Sequence, residues 1–428
     1  MAASPLSSAR GAGEGLLAGC RVLDLTYERG HLCGRLLGDL GADVIKVEPP
    51  QGDPARHQGP FYHSVPDLNT SLYWWAFNYN KRGITLDIAT ADGRMLLRDL
   101  VARTDIVLES YQPGYLDSLG LGYEQLRAWN PGVILTSLSP FGQEGPYAQY
   151  ATSDLVLMGI GGILFHIGDT DRPPGGFPME QAFHLGATEA VVGALIAYYA
   201  RETTGQGQHV DVSVQQSVNA TGGGSPVRWQ RTGEIALRPG QFQKGIHPAV
   251  PLRIVYPCKD GYVAFRLLGG PMGVAINRAL VAWMREEGMA EDWLDEIGRD
   301  DWPFLSLGVE EIRKVEAAIG RFFLTHTKQE LYEGSIQRRV FLYAVSSFQD
   351  IAESPQLAAR SYWREVSHPE LNETLRYPGP FAQLSETALN PDPRRRAPLL
   401  GEHNSEVYGD LLGLSQQDIL LLRQAGVI

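Results

Sequence analysis

The sequence predicts an α/β protein, with a doubly wound sheet in the N-terminal half and a smaller α+β domain after it. Strand-length apolar runs alternate with helix-length segments from Cys20 to about residue 214, the pattern of βαβ units that pack a parallel sheet between helices. Past about residue 226 the texture changes: proline, glycine and short strands alternate, which marks a second domain. A chain of 428 residues has the length to bury more than one core.

Residues 20–26, CRVLDLT, form the first expected strand. HLCGRLLGDLG, from His31, places apolar residues at helical spacing, and ADVIKVEPP, from Ala42, is the second strand. Strand, helix and strand imply a right-handed crossover in a parallel sheet. Pro49, Pro50 and Gly52 then end the strand and turn the chain. GITLDIA and DGRMLLRDLVART repeat the unit, followed by strand TDIVLESY, short helix YEQLRAWNPG and strand VILTSLSPFG. Residues 187–204 are mostly apolar and predict a long buried helix closed by Gly205 and Gly207, with strand HVDVSV after it. In the second domain IVYPCKDGYVAFRLL predicts a hairpin turning at Lys259–Asp260–Gly261. Helices are expected around 274–298, 309–325 and 327–333. From about 348 the chain reads as irregular and proline-rich up to a final helix pair, NSEVYGDLLG and SQQDILLLRQAG.

Composition excludes several classes. A net charge of −12 argues against a nucleic-acid surface. Cys20, Cys33 and Cys258 are too few and too scattered for a disulfide framework or a cysteine metal site, which fits a reducing cytoplasm. No HExxH or similar spacing points to a metal. Residues 1–18 open with small and polar side chains and read as a flexible lead-in rather than a signal peptide. No apolar run of about 18 residues predicts a membrane span.

Several segments carry a further signal. They are GCRVLDLT, LLGDLGADVIKVEPPQGDPAR, FNYNKRGITLDI, YQPGYLDSLGLGYEQLRAWNPGVILTSLSPFGQEGPY, RETTGQGQHVDVSVQQ, KDGYVAF and PLLGEHNSEVYGDLLGLS. In this order they resemble the class III CoA-transferase family, also called the CaiB/BaiF family, over nearly the whole chain. The resemblance implies a Rossmann-like large domain and a smaller middle domain in two chains threaded as interlocked rings. The large domain would take 19–226, the small domain 227–345, and 346–428 would be a linker and a C-terminal return to the large domain. The dimer would be an obligate homodimer or a heteromer with a homologous subunit. The bound substrates would be coenzyme A or an acyl-CoA and a carboxylic acid, with no metal.

CoA presents phosphates, an adenine and a thiol arm, so its site needs cations, backbone amides and an apolar shelf. The resemblance points to Lys46, Arg56, Lys81 and Arg82 for the phosphates and Gly114 near the pyrophosphate; each basic residue also suits a solvated rim. Where the family often reads ENFRPG this chain reads ESYQPG, with Ser110 for the Asn and Gln112 for the Arg. Where the family commonly reads AGP after the first strand, this chain has Tyr27, Glu28, Arg29, Gly30 and His31; Arg29 could reach a phosphate or carboxylate, or pair with Glu28. Gly142 and Gly145 permit positive φ beside Gln143, which could face a thioester.

The family route uses an aspartate that attacks the acyl-CoA thioester to give a mixed anhydride and CoA thiolate. The thiolate returns to form an enzyme thioester, which the acceptor carboxylate then attacks. Anchored on Arg201 and TGQGQ, the position of that aspartate falls on Phe183. The nearby groups that could take over are His184, Glu180 and Asp154; Glu189 reads as a polar helix residue. Three readings follow: CoA transfer, alone or beside an Asp-containing homologue; a non-catalytic acyl-CoA-binding subunit; or racemase, isomerase or lyase chemistry through His184. Trp74, Trp75, Tyr79, Phe183 and Trp229 suit either an apolar pocket or core.

Overall fold

The computed structural model of the protein describes residues 15–428 except 28, 170, 223–224, 236–237, 239, 244–246, 248, 388 and 390–394. Glu28 and most of the 1–18 lead-in therefore lie outside the described residues. The chain forms two compact units. One takes the N-terminal residues to Ile163, Phe177–Gly224 and Ala358–Ile428; the other takes Leu164–Gly176 and Ser225–Leu357.

The first unit is the α/β layer structure. Its strands are β1 (Arg21–Asp24), β2 (Asp43–Glu48), β3 (Arg82–Thr85), β4 (Ile106–Glu109), β5 (Ile134–Ser139) and β6 (His209–Ser213). They form one sheet in the order β3-β2-β1-β4-β5-β6, with every pair parallel. Between them run α1 (His31–Asp39), α2 (Leu72–Asn78), α3 (Ala91–Val101), α4 (Tyr115–Ser118), α5 (Tyr123–Trp129), α6 (Asp154–Ile160) and α7 (Gln181–Thr204), and α8 (Val214–Thr221) follows β6. Leu23, Ile45, Ile84, Val107 and Leu135 from five strands pack with Leu96, Leu97 and Leu100 of α3 into one core. Burial on both faces explains why these strands read as short apolar runs. Among the described residues no helix is long and apolar enough to cross a membrane.

Helix α7 begins at Gln181, ahead of the expected Ala187, so Phe183 and His184 lie in its first turn. Its glycines allow close packing: a Cβ on Gly186 would stand 2.8 Å from Val214 Cγ2. Gly205, with φ +68°, ends it in a left-handed cap.

The second unit holds α9 (Ser225–Thr232), β7 (Phe242–Gln243), β8 (Leu252–Arg253), β9 (Val255–Cys258), β10 (Gly261–Phe265), α10 (Gly270–Glu286), α11 (Val309–Leu324), α12 (Lys328–Arg338), β11 (Leu342–Ala344), α13 (Phe348–Ala352) and the start of α14 (Pro355–Ala359). The expected hairpin is β9–β10, which continues antiparallel to β11. The helix expected over 274–298 stops sooner, because Gly288 takes φ +71° and a 3-10 turn over Asp292–Gly298 follows.

The C-terminal return to the first unit is more regular than its proline content suggests. β12 (Trp363–His368) and β13 (Glu373–Pro378) form an antiparallel hairpin. Its buried Val366 and Tyr377 pack on Trp74, Trp75 and Tyr79, so these aromatics build core, while Trp229 of the other unit is exposed. Beyond it lie a π-helical turn (Ser405–Leu411) and α15 (Gln416–Gln424). This segment covers the open edge of β3. His403 N donates to Gly83 O at 2.9 Å, Thr85 N to Asn404 Oδ1 at 2.9 Å, and Tyr408 Oη to Thr85 O at 2.6 Å. Backbone groups of an edge strand that would otherwise stay unpaired thus find partners from the far end of the chain.

A cluster of charges is buried beneath the carboxyl ends of β1 and β2. Lys81 Nζ donates to Asp24 Oδ2 at 2.8 Å, to Asn78 Oδ1 at 2.9 Å and to His31 O at 2.8 Å. Lys46 donates to Thr26 O and stands 3.9 Å from Asp24 and 3.6 Å from Asp53. His31 Nε2 meets Asp53 at 3.1 Å, and Asn78 Nδ2 donates to its Nδ1, so both ring nitrogens are satisfied in the neutral form. Gly34 makes room: a Cβ there would stand 2.2 Å from Asp24 Oδ2. Burial alone would raise the Asp24 carboxyl, but Lys81 and Lys46 outweigh it and hold it at about 2. Burial pushes His31 the other way for its type, down to about 4 against the pull of Asp53.

Two outcomes are expected. Lys81→Met leaves Asp24 short of its nearest cation and should cost about 3–5 kcal/mol in urea unfolding. His31 stays neutral in the fold down to about pH 4, while an unfolded histidine protonates near 6.5. The unfolded chain therefore binds more protons between those values, and stability falls as pH drops from 6.5 towards 4. That one group sets a slope of at most about 1.4 kcal/mol per pH unit. Stability measured against pH should fall less steeply in His31→Gln over that window.

Candidate active site

In a sheet of this order, the chain leaves β1 and β4 in opposite directions, and ligands bind in the crevice outside their carboxyl ends. A cleft of about 710 Å³ lies at that edge of the sheet. Tyr27 and Arg29 line it after β1, Gln51 and Gly52 after β2, Asp87 and Ile88 after β3, and Ser110 and Tyr111 after β4. The Ser110 hydroxyl accepts Tyr27 N at 2.9 Å and ties the loops after β1 and β4 together. Tyr27 and Tyr111 rings meet edge to face at 5.0 Å, which makes an apolar wall. The volume falls within the range of small-molecule sites.

Of the residues expected around CoA, Arg29 and Ser110 line this cleft. Lys46, Arg56 and Lys81 do not, and their side chains are at most 1% exposed. Lys46 and Lys81 belong to the buried cluster. Arg56 makes a two-pronged pair with Glu48 at 2.6 and 2.8 Å, donates to Pro398 O and stacks 3.9 Å over Trp74. A buried cation must be compensated where it lies, and these are compensated by the protein itself. Arg82 is paired with Asp43 and Glu406 at the β3 edge. His57, Gln51 and the three tyrosines Tyr27, Tyr111 and Tyr115 line the cleft without having been singled out from the sequence. Their signal was position alone, just past the carboxyl ends of strands.

The first turn of α7 has two sides. On one, the Arg29 guanidinium lies 4.9 Å over the buried Phe183 ring and donates to Thr152 O at 3.3 Å. Asp154 Oδ1 accepts Ala182 N at 2.7 Å and Phe183 N at 3.2 Å, so it caps α7 from the neighbouring helix. Burial raises the Asp154 carboxyl despite those amides. On the other side, Glu180 accepts the Tyr73 hydroxyl at 3.0 Å and His184 packs 5.0 Å from Phe77. Burial keeps the His184 imidazole below the usual histidine range, against the pull of Glu180. Glu180 and His184 thus face α2 together, Asp154 stands apart as a cap, and none of the three lines the cleft. Glu189 accepts the Ser217 hydroxyl at 2.6 Å.

The CoA-transferase family III profile matches residues 17–404. The chain belongs to CoA-transferase family III. It is 33% identical over 389 residues to the succinyl-CoA:(R)-benzylsuccinate CoA-transferase subunit BbsE of Thauera aromatica, covering 90% of this chain and 92% of that protein. It is also 33% identical over 410 residues to the succinyl-CoA–D-citramalate CoA-transferase of Chloroflexus aurantiacus, covering 95% and 97%. The crystal structure of a CaiB/BaiF family protein from Brucella suis superposes with a TM-score of 0.79 at 28% identity, covering 92% of this chain and 98% of that one.

The family III chain has a second cavity, of about 250 Å³, between β4, β5 and β6 and the helices after β4. Gly114 and Gln143 line it, with Glu109, Ser137 and His209. Ser137 Oγ and His209 Nε2 are 2.9 Å apart, and burial pushes the Glu109 carboxyl up to about 7. Gly142 and Gly145 take φ +90° and +103°, and the turn they make lets Gln143 N donate to Asp211 at 3.0 Å. Among the described residues no three His, Cys, Asp or Glu side chains gather as a metal site.

The family III chain should show Asp154 acting as a cap. Asp154→Ala is expected to cost about 1 kcal/mol in urea unfolding. Amide exchange at Ala182 and Phe183 should quicken several-fold, with exchange in the last turns of α7 unchanged.

Proposed function

We propose that this chain binds CoA or an acyl-CoA in the cleft beyond β1 and β4. In this reading it serves CoA transfer between carboxylic acids as one subunit of a dimer whose partner is a homologue with an acid at the position of Phe183. The observation that carries the reading is the first turn of α7: Phe183 is buried under Arg29, and neither Asp154, Glu180 nor His184 lines the cleft. Among the described residues the carboxylates that line it are Glu48, locked to Arg56, and Asp87, which accepts Ala89 N. Covalent transfer is unforgiving of a misplaced nucleophile, since a shift of about 1 Å costs on the order of 100-fold. A carboxylate from another subunit avoids that difficulty.

Two further observations support a partner. Val192, Ile196 and Tyr199 make one stripe of α7 and are 52%, 64% and 80% exposed, an apolar row suited to burial against another chain. The relative from Thauera aromatica is itself described as a subunit. Within such a dimer this chain would hold CoA, keep water from the thioester with the tyrosine wall, and leave nucleophilic attack to the partner. Acid–base chemistry through His184 is less well supported, because its ring packs on Phe77 away from the cleft.

The test uses the purified chain, alone and co-expressed with an Asp-containing homologue. The expected result is CoA binding by the chain alone, succinyl-CoA-dependent transfer only with the homologue, and a one-to-one heteromer by native mass spectrometry. Robust transfer by the chain alone, abolished by Glu180→Gln, would replace this reading with a relocated acid.

A further inference from the structure

Around β1, β2 and β3 the basic side chains Lys46, Lys81, Arg56, Arg82 and Arg35 each face a carboxylate. Lys46 is near Asp24 and Asp53, Lys81 pairs with Asp24, Arg56 with Glu48, Arg82 with Asp43 and Glu406, and Arg35 lies 3.7 Å from Asp39. Arg29 is the exception: among the described residues its guanidinium meets one carbonyl, Thr152 O, and one ring, Phe183, and no carboxylate. It is half-buried, and it lines the 710 Å³ cleft.

A guanidinium carries five N–H donors in a rigid plane and never loses its proton. Here Phe183 supports one face of that plane and Thr152 holds one nitrogen, so the group is fixed while most of its donors remain for something else. Among the described residues no counter-charge offsets its partial burial, and a bound anion would. The plane suits a planar, two-oxygen anion, which it can grip with two parallel hydrogen bonds.

We infer that Arg29 is the specificity residue of this site, the receptor for the free carboxylate of a dicarboxylic acyl group carried on CoA. This rests on the CoA-binding reading above and adds the substrate class to it. It also gives the Phe183 position a role: the ring is the platform that orients Arg29. The thioester carbon would lie within the cleft, a few bonds from the gripped carboxylate. A monocarboxylic acyl group of the same length would leave Arg29 unpaired, so the site would discriminate by charge rather than by size.

The test measures binding by calorimetry for succinyl-CoA, butyryl-CoA and free CoA, with wild-type chain, Arg29→Met and Arg29→Lys, in whichever homomeric or heteromeric form the chain purifies. The two acyl groups match in length and differ in the terminal carboxylate. Wild type should prefer succinyl-CoA over butyryl-CoA by roughly 10- to 100-fold, the range of a charge-assisted hydrogen bond. Arg29→Met should erase that preference while butyryl-CoA and free CoA bind within about twofold of wild type, and Arg29→Lys should keep part of it. Thermal melts of both variants check that they fold. If Arg29→Met weakens all three ligands equally, the anion is a CoA phosphate and the inference fails. It fails equally if wild type shows no preference. Failure of a folded wild type to bind any of the three would instead remove the CoA-binding reading itself.

Discussion

Lys81, Asp24, Lys46, Asp53 and His31 come from four parts of the chain and meet where water does not reach. Each would be strongly unfavourable there alone, so each position is dictated by the others. The consequence reaches the cleft. Asp24 accepts Thr26 N at 3.0 Å and Thr26 Oγ1 at 2.6 Å, while Lys46 holds Thr26 O. The loop that carries Tyr27 and Arg29 therefore starts from a residue pinned at three points. On the neighbouring strand Glu48 does similar work, accepting Asp53 N at 3.1 Å as well as the Arg56 fork, which fixes the turn with Gln51 and Gly52. These buried charges shape the loops around the pocket.

The same cluster explains what was legible in the sequence. The parallel strands were readable because burial on both faces leaves short apolar runs, and the βα order follows from those runs. Charge was readable only as charge. Lys81 finds Asp24 across 57 positions and Arg56 finds Pro398 across 342, and no local pattern records such partners. The β12–β13 hairpin escaped for a related reason. In WREVSH only Val366 and His368 are buried, so the alternation is too weak to outweigh the prolines around it. The cap of α7 escaped because it is not the residue before the helix but Asp154, supplied by another helix.

The C-terminal return adds a second constraint on the same edge of the sheet. Gly83 has no room for a side chain, since a Cβ would stand 2.7 Å from Pro398 Cγ. His403, Asn404 and Tyr408 then satisfy Gly83 and Thr85, the backbone groups that an edge strand leaves open. Arg56 donates to Pro398 O from the other side, so the tail is tied both to β3 and to the turn after β2. The last part of the chain thus completes the edge of its first sheet through contacts more than 300 positions apart in sequence.

These constraints bear on how a family III chain can change its chemistry while keeping its frame. The frame depends on buried pairs that do not line the cleft or touch the first turn of α7, apart from Glu48, whose carboxylate Arg56 already claims. Phe183 is buried, with its ring under Arg29 and its amide capped by Asp154. An acid or a phenylalanine at that position leaves the Asp24 cluster, the Glu48 fork and the C-terminal strap untouched. In the reading proposed above, exchange between a nucleophile-bearing chain and a binding chain is confined to the first turn of α7 and leaves these pairs in place. What it does alter is the charge beside Arg29. With an acid there the guanidinium has an internal partner, and with phenylalanine its charge is open to a ligand. Under the proposed reading, losing the nucleophile and gaining an anion receptor are one substitution seen from its two sides.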